Sequence, residues 1–168
     1  CLESLKQTTY KNYTVYIINN DSDEENILEY FENTKHKVLN ISSLNGVFSY
    51  SYVNNKAAKL VKEDYILFLN NDIKVITPDW LSQMIGLMQI NGIGSVGARL
   101  YYGNDKLQHV GITNHVAPYG LPAPSFKLID GNDAGYLNYA KSIKNFSAMT
   151  AACMLTSSTA FFELRCFD

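Results

Sequence analysis

The sequence predicts an α/β domain with a mostly parallel central sheet flanked by helices, and three observations predict it. Short apolar runs alternate with segments of helical period, the pattern of βαβ units. One run, Tyr65–Leu69 (YILFL), is apolar throughout, as a central strand covered on both faces must be. Polar, turn-forming residues follow two strand candidates, at Asn19-Asn20-Asp21-Ser22 and Asn70-Asn71-Asp72, where open α/β sheets bind their ligands. A chain of 168 residues is one domain by length, residues 1–168, and can bury a sizeable core.

The elements are read in order. Thr14–Asn19 (TVYIIN) is a buried strand leading into Ser22-Asp23-Glu24-Glu25, a capping box in which Ser22 and Glu25 satisfy each other's orphan N–H groups. The next helix sets Ile27, Leu28, Tyr30 and Phe31 on one side. Lys37–Ile41 is a short strand. Tyr50–Val61 is a helix with Val53, Ala57, Leu60 and Val61 on its inner face, and Tyr65–Leu69 follows. Thr77-Pro78-Asp79-Trp80 starts another helix, with Thr77 as cap and Pro78 in the first turn, and Gly92 stops it. Ile93–Tyr102 is a strand with glycines where the backbone approaches a neighbour closely. From Gly103 to Lys144 no period holds, a long irregular loop of the kind that carries function. Ser147–Thr156 returns to strand.

Composition narrows the classes. Hydrophobic residues make up 46% and charged residues 18%, which excludes disorder and coiled coil. A net charge of −2 argues against a nucleic-acid partner. Twelve tyrosines suit a sugar- or base-binding surface and suit a tyrosine-rich core equally. Three cysteines, Cys1, Cys153 and Cys166, without CxxC or Cys/His spacing, argue against a disulfide framework and a structural zinc, and for a cytoplasmic setting. No apolar run reaches the roughly 18–20 residues of a membrane span.

The sharper chemical signal is Asn70-Asn71-Asp72. A carboxylate directly after a buried strand sits on a rigid element and can ligate Mg²⁺ or Mn²⁺, which take one or two carboxylates together with substrate phosphates. On spacing alone the turn reading outweighs it, because the same residues favour turns.

The wider context changes that balance. Tyr10-Lys11-Asn12-Tyr13, Asn19-Asn20-Asp21-Ser22, Phe48-Ser49, Asn54-Asn55, Leu69-Asn70-Asn71-Asp72, Asp79-Trp80-Leu81, Val96-Gly97, Gln108-His109-Val110-Gly111 and Thr150-Ala151-Ala152-Cys153-Met154 follow one another in order. The ordered set resembles bacterial members of glycosyltransferase family 2, with the fold called GT-A. The resemblance implies metal-dependent, inverting transfer of a sugar from a nucleotide-sugar donor to a glycan or lipid-linked acceptor, in surface polysaccharide synthesis. It implies that Asp72 holds the cation, Mn²⁺ or Mg²⁺, and that Asn70 and Asn71 share its DxD-like motif. Asn19 stands where the family carries an aspartate toward the nucleotide, and Asn55 matches an asparagine near that pocket, a position where tying down a loop is an equal reading. His109, Thr150 and Ala151 fall on the acceptor side, although a lone histidine is more often structural. His115 belongs to the irregular loop.

Matched against the family, the chain opens inside the first helix and stops before the expected catalytic base. It therefore reads as a donor-binding half that is inactive alone, from a full-length protein that is cytoplasmic or peripheral to the inner face of the membrane. A non-catalytic nucleotide-sugar-binding relic is favoured slightly by asparagine at positions 19 and 70. A sugar nucleotidyltransferase lacks its glycine-rich phosphate loop here, and no GxGxxG follows any predicted strand, as a dehydrogenase requires.

Overall fold

The computed structural model of the chain describes residues 1–114 and 118–168, and His115 lies outside them. Its first half contains α1 (Leu2–Leu5), β1 (Tyr16–Asn19), α2 (Glu25–Asn33), β2 (Lys37–Asn40), α3 (Tyr50–Ala58), β3 (Tyr65–Leu69) and α4 (Trp80–Met88). Short strands follow: β4 (Ser95–Gly97), β5 (Leu100–Tyr101), β6 (Leu107–His109), β7 (Ile112–Thr113), β8 (Ala123–Pro124) and β9 (Cys153–Ser157), with α5 (Ser158–Glu163) after them. The chain divides into two compact units, one of Cys1–Thr8 with Leu67–Thr156 and one of Thr9–Ile66 with Ser157–Asp168.

A three-stranded sheet runs in the order β3-β9-β4, and most of it, Leu67–Leu69, Cys153–Thr156 and all of β4, belongs to the first unit. β3 has the bounds its apolar run predicts. Ile66 and Phe68 are buried while Tyr65, Leu67 and Leu69 are half-buried, so one face is sealed more fully than the other. α4 packs on β4 and buries Leu81, Met84 and Met88, which recur at the spacing of one helical face. The N-cap of α4 is Asp79 without a side-chain cap bond, not Thr77. Thr77 contributes only its carbonyl, which accepts from the Trp80 N–H at 3.2 Å.

The expected strand over Ile93–Tyr102 breaks into β4 and β5, which pair with different partners. At Gly97 an added Cβ would lie 3.0 Å from the Met149 sulfur, whereas at Gly94 it would meet open space. The stretch from Gly103 to Lys144 is not one irregular loop. β5 pairs with β6 and β7 with β8, both antiparallel. Ladders of two or three residues are too short to print a period-2 pattern. The strand expected over Ser147–Thr156 begins only at Cys153.

In the second unit β1 and β2 pair in parallel, with Ile17 opposite Val38 and Ile18 opposite Leu39. Ile41, Val53 and Ala57 form its core, with Ile18, Leu39 and Tyr52 packed on it. α3 buries Val53 and Ala57 as expected but ends at Ala58, leaving Leu60 exposed and Val61 half-buried. The capping box does not form. α2 starts at Glu25 with Glu24 as its cap residue and no side-chain cap bond. The Ser22 N–H instead donates to Asn19 Oδ1 at 3.0 Å, a local side-chain bond competing with the helix start. Ile27 and Phe31 are the half-buried pair of α2, and Leu28 and Tyr30 face solvent.

Parallel register holds between β1 and β2, but β4–β9, β5–β6 and β7–β8 run antiparallel. These ladders do not make the mostly parallel central sheet that the run pattern suggests. The alternation of strands and helices reports local periods, whereas the partner of a strand is decided by distant sequence, here β9 between β3 and β4. All three cysteines are free, and burial pushes the Cys153 thiol up to about 12, which leaves it inert. No helix among the described residues is long and apolar enough to cross a membrane.

Candidate functional site

β3 delivers its polar tail to a tight turn. The Asn70 N–H donates to the Ala152 carbonyl at 2.9 Å, and the Ile73 N–H reaches back to the Asn70 carbonyl at 3.4 Å. Asn70 is thereby half-buried, while Asn71 and Asp72 stand exposed at the tip. The segment is a turn, and it also presents a carboxylate to a cleft of about 560 Å³ whose walls include Lys74 and, from α1 and the residues after it, Glu3, Ser4, Lys6 and Gln7. A volume of this size suits a small-molecule ligand.

Hydrogen bonds hold α1 against this wall. Ser4 Oγ donates to the Cys1 carbonyl at 2.8 Å and accepts from the Val75 N–H at 3.0 Å, and Trp80 Nε1 donates to Thr8 Oγ1 at 3.0 Å. Ser4 and Thr8 are both buried. Ser4→Ala leaves the Val75 N–H without an acceptor and is expected to lower stability by about 1–3 kcal/mol, read as a drop in urea midpoint. An unchanged midpoint would show that the bond contributes nothing.

The acceptor-side residues meet this turn through one bonded chain. Ala152, whose carbonyl holds Asn70, donates its own N–H to Thr150 Oγ1 at 3.2 Å. The Thr150 N–H in turn donates to His109 Nε2 at 3.3 Å. His109 is 5% exposed and is the last residue of β6 rather than a residue beyond a strand. An Nε2 that accepts is unprotonated, which assigns the neutral Nδ1–H tautomer, and burial pushes the imidazole pKa down from its ordinary value. In this structure His109 is therefore a positioning group. Ala151, half-buried, lies within the same segment.

The two remaining candidates belong to the other unit. Asn19 ends β1, with Nδ2 donating to Asn40 Oδ1 at 2.9 Å and Oδ1 accepting from Ser22. Beside it, Asp21 takes a left-handed backbone (φ 57) and accepts from the Ser43 N–H at 2.7 Å, a bond that holds its carboxyl below the usual range. Asn55 uses both ends of its amide on one residue: Nδ2 donates to the Phe167 carbonyl at 2.8 Å, and Oδ1 accepts from the Phe167 N–H at 3.0 Å. That geometry is a tie between α3 and the segment after α5. Asn55→Ala is expected to lower stability by about 1–2 kcal/mol without raising the Kd for a nucleotide sugar. A raised Kd with unchanged melting would reverse that assignment.

Lys6, Lys74 and Glu3 escape a motif reading. Lys74 lies two residues from Asp72, a proximity that offers a signal, whereas Lys6 and Glu3 reach the cleft only through α1. The exposed Glu3 and Lys6 pair with each other at 2.6 Å, a contact of little energetic weight. Asp72 and Lys74 remain as the charged groups on the turn side. Among the described residues no three His, Cys, Asp or Glu side chains gather as a metal cage. One available carboxylate fits a hard cation brought in by a diphosphate, whose oxygens and water supply the other ligands.

The comparisons with known proteins accord with these motifs. The chain is 35% identical over 159 residues to "Uncharacterized protein y4gI" of Sinorhizobium fredii (strain NBRC 101917 / NGR234), covering 94% of this chain and 17% of that protein. It is 28% identical over 165 residues to "O-antigen biosynthesis protein RfbC" of Myxococcus xanthus, covering 98% of this chain and 13% of that protein. The chain thus spans less than a fifth of either relative. The profile of glycosyl transferase family 2 matches residues 1–158, and the chain belongs to that family.

Proposed function

We propose that the domain transfers a sugar, hexose-like, from a nucleotide donor to a glycan or lipid-linked acceptor in bacterial surface polysaccharide synthesis, with inversion and with a divalent cation at Asp72. The observation that carries this reading is the turn after β3. It lifts Asp72 into a cleft beside Lys74 while a backbone bond from Asn70 to Ala152 fixes its base. Family membership and a relative named for O-antigen biosynthesis support the reaction class. When bound, Mn²⁺ or Mg²⁺ supplies Lewis-acid neutralisation of the diphosphate. Lys74 offers the phosphates an ammonium, and Asn71 and the Asn70 side chain offer amides to the ribose. Peripheral contact of the full-length protein with the inner face of the membrane belongs to the same proposal.

A second reading, a nucleotide-sugar-binding relic, is favoured by one specific fact: the amides at positions 19 and 70 carry no charge, so Asp72 is the sole anion of its motif. Titration of the intact protein with UDP-, GDP- and dTDP-sugars, with and without Mn²⁺, separates the two. The transferase reading expects binding that Mn²⁺ tightens, together with turnover. Binding without turnover leaves the relic, and no binding of any nucleotide sugar removes both.

A further inference from the structure

A second pocket, of about 390 Å³, lies in the same unit as the Asp72 cleft and shares no wall residue with it. Lys144 belongs to its lining. The Lys144 Nζ lies 4.4 Å from the ring centre of Tyr139, 4.8 Å from Phe146 and 5.9 Å from Phe126. Nζ is sealed from solvent and has no hydrogen-bond partner among the described residues. Lysines at a surface normally extend their ammonium into water. This one is held inside, with three donors and no acceptor among the described residues, and the rings compensate through cation–π attraction only in part.

The rings around it are fixed by backbone that tolerates no side chain. A Cβ at Gly111 (φ 139) would lie 2.2 Å from the Phe146 ring, and one at Gly135 (φ 64) would lie 2.8 Å from Phe126. Across the pocket, Thr113 Oγ1 and Ser125 Oγ are 2.7 Å apart. β7 and β8 hold these hydroxyls, since Thr113 pairs with Ala123 and the Ser125 N–H donates to the Gly111 carbonyl at 3.0 Å. Simple packing of a lysine among aromatics accounts for the burial of Nζ. It does not account for an adjoining cavity furnished with hydroxyls and walled by rings.

We propose that this pocket binds an anionic sugar, a pyranose bearing a carboxylate or a phosphate, through the Lys144 ammonium, the aromatic walls and the Thr113–Ser125 hydroxyl pair. Anionic oxygen supplies the acceptor that Nζ lacks, and a charge-assisted bond is the strong kind. Aromatic faces and paired hydroxyls suit a sugar ring with its own hydroxyls. Tyr139, half of whose surface is exposed (51%), is the wall that can swing to admit it. The choice of a sugar rests on the transferase reading, whereas the anion requirement rests on Lys144 alone.

Calorimetric titration of the intact protein with glucuronate, glucose 6-phosphate, glucose and inorganic phosphate tests the proposal. Whichever charged sugar is the better match binds at least about tenfold tighter than glucose, and Lys144→Met removes that preference while Lys144→Arg retains it. The carboxylate and phosphate arms show which anion is read. Thr113→Val, which keeps the side-chain volume, weakens the charged sugar by about threefold and carries the test if Lys144→Met fails to fold. Equal affinity for glucose and both charged sugars, or a preference that survives Lys144→Met, overturns the proposal. Inorganic phosphate binding as tightly as glucose 6-phosphate overturns the sugar assignment. UDP-sugar titration in the same samples reads the Asp72 cleft separately, so failure there sinks the transferase reading without touching the Lys144 result.

Discussion

Asp72→Ala removes the metal-dependent part of nucleotide-sugar binding, a loss of about 100-fold in affinity measured with Mn²⁺ present, and changes the melting temperature little. The two halves of this expectation have separate causes. The carboxylate stands exposed at the tip of a turn whose geometry is set by backbone bonds at Asn70, so its removal leaves the fold's packing untouched. It is also the sole charged member of its motif, so no neighbour in that motif replaces it as an anionic ligand. Asp72→Asn separates charge from shape: the amide keeps an oxygen donor but loses the charge, and binding is expected between wild type and alanine. Lys74→Ala acts on the phosphates rather than the cation, so it weakens binding with and without Mn²⁺. A Mn²⁺ effect of wild-type size in Asp72→Ala would place the cation elsewhere.

The parts of this fold that are legible in sequence are those whose information is local. Tyr65–Leu69 has the bounds of β3 because five consecutive apolar residues fit few other structures. The face of α4 follows from Leu81, Met84 and Met88 at helical spacing. The errors share a different cause. Ser22 and Glu25 have the spacing of a capping box, but Asn19 stands at the same spacing on the other side of Ser22, and its side chain takes the Ser22 N–H. Ile93–Tyr102 reads as one strand because nothing local records that its two halves pair with β9 and β6. The candidate site divides the same way. The exposed turn that carries Asp72 follows from the strand before it, whereas nothing near Asn55 records its partner Phe167, 112 positions away. Lys144 carries no signal at all, because three rings from scattered positions make its environment.

His109 gives the second large effect, and it couples stability to the site. His109→Ala is expected to cost about 2–4 kcal/mol, from the cavity left by a buried ring and the Thr150 N–H left without an acceptor. His109→Gln keeps an acceptor and costs less. The pH dependence has a defined sign. The folded-state pKa lies below the ordinary value of 6.5 because burial disfavours the imidazolium. Between the folded value and 6.5 the unfolded chain binds more protons than the folded one, so stability rises with pH across that window. It is lost as pH falls from 6.5 through the folded pKa. The measurement is a difference, which isolates this imidazole: urea midpoints of wild type and His109→Gln at pH 7.5 and pH 5. Wild type loses more on acidification than His109→Gln. Protonation also removes the lone pair that holds Thr150, and through Ala152 this loosens the base of the Asp72 turn. Nucleotide-sugar affinity therefore falls further in wild type than in His109→Gln once the pH drops below the folded-state pKa. Parallel pH profiles for the two proteins would show that the imidazole carries neither effect.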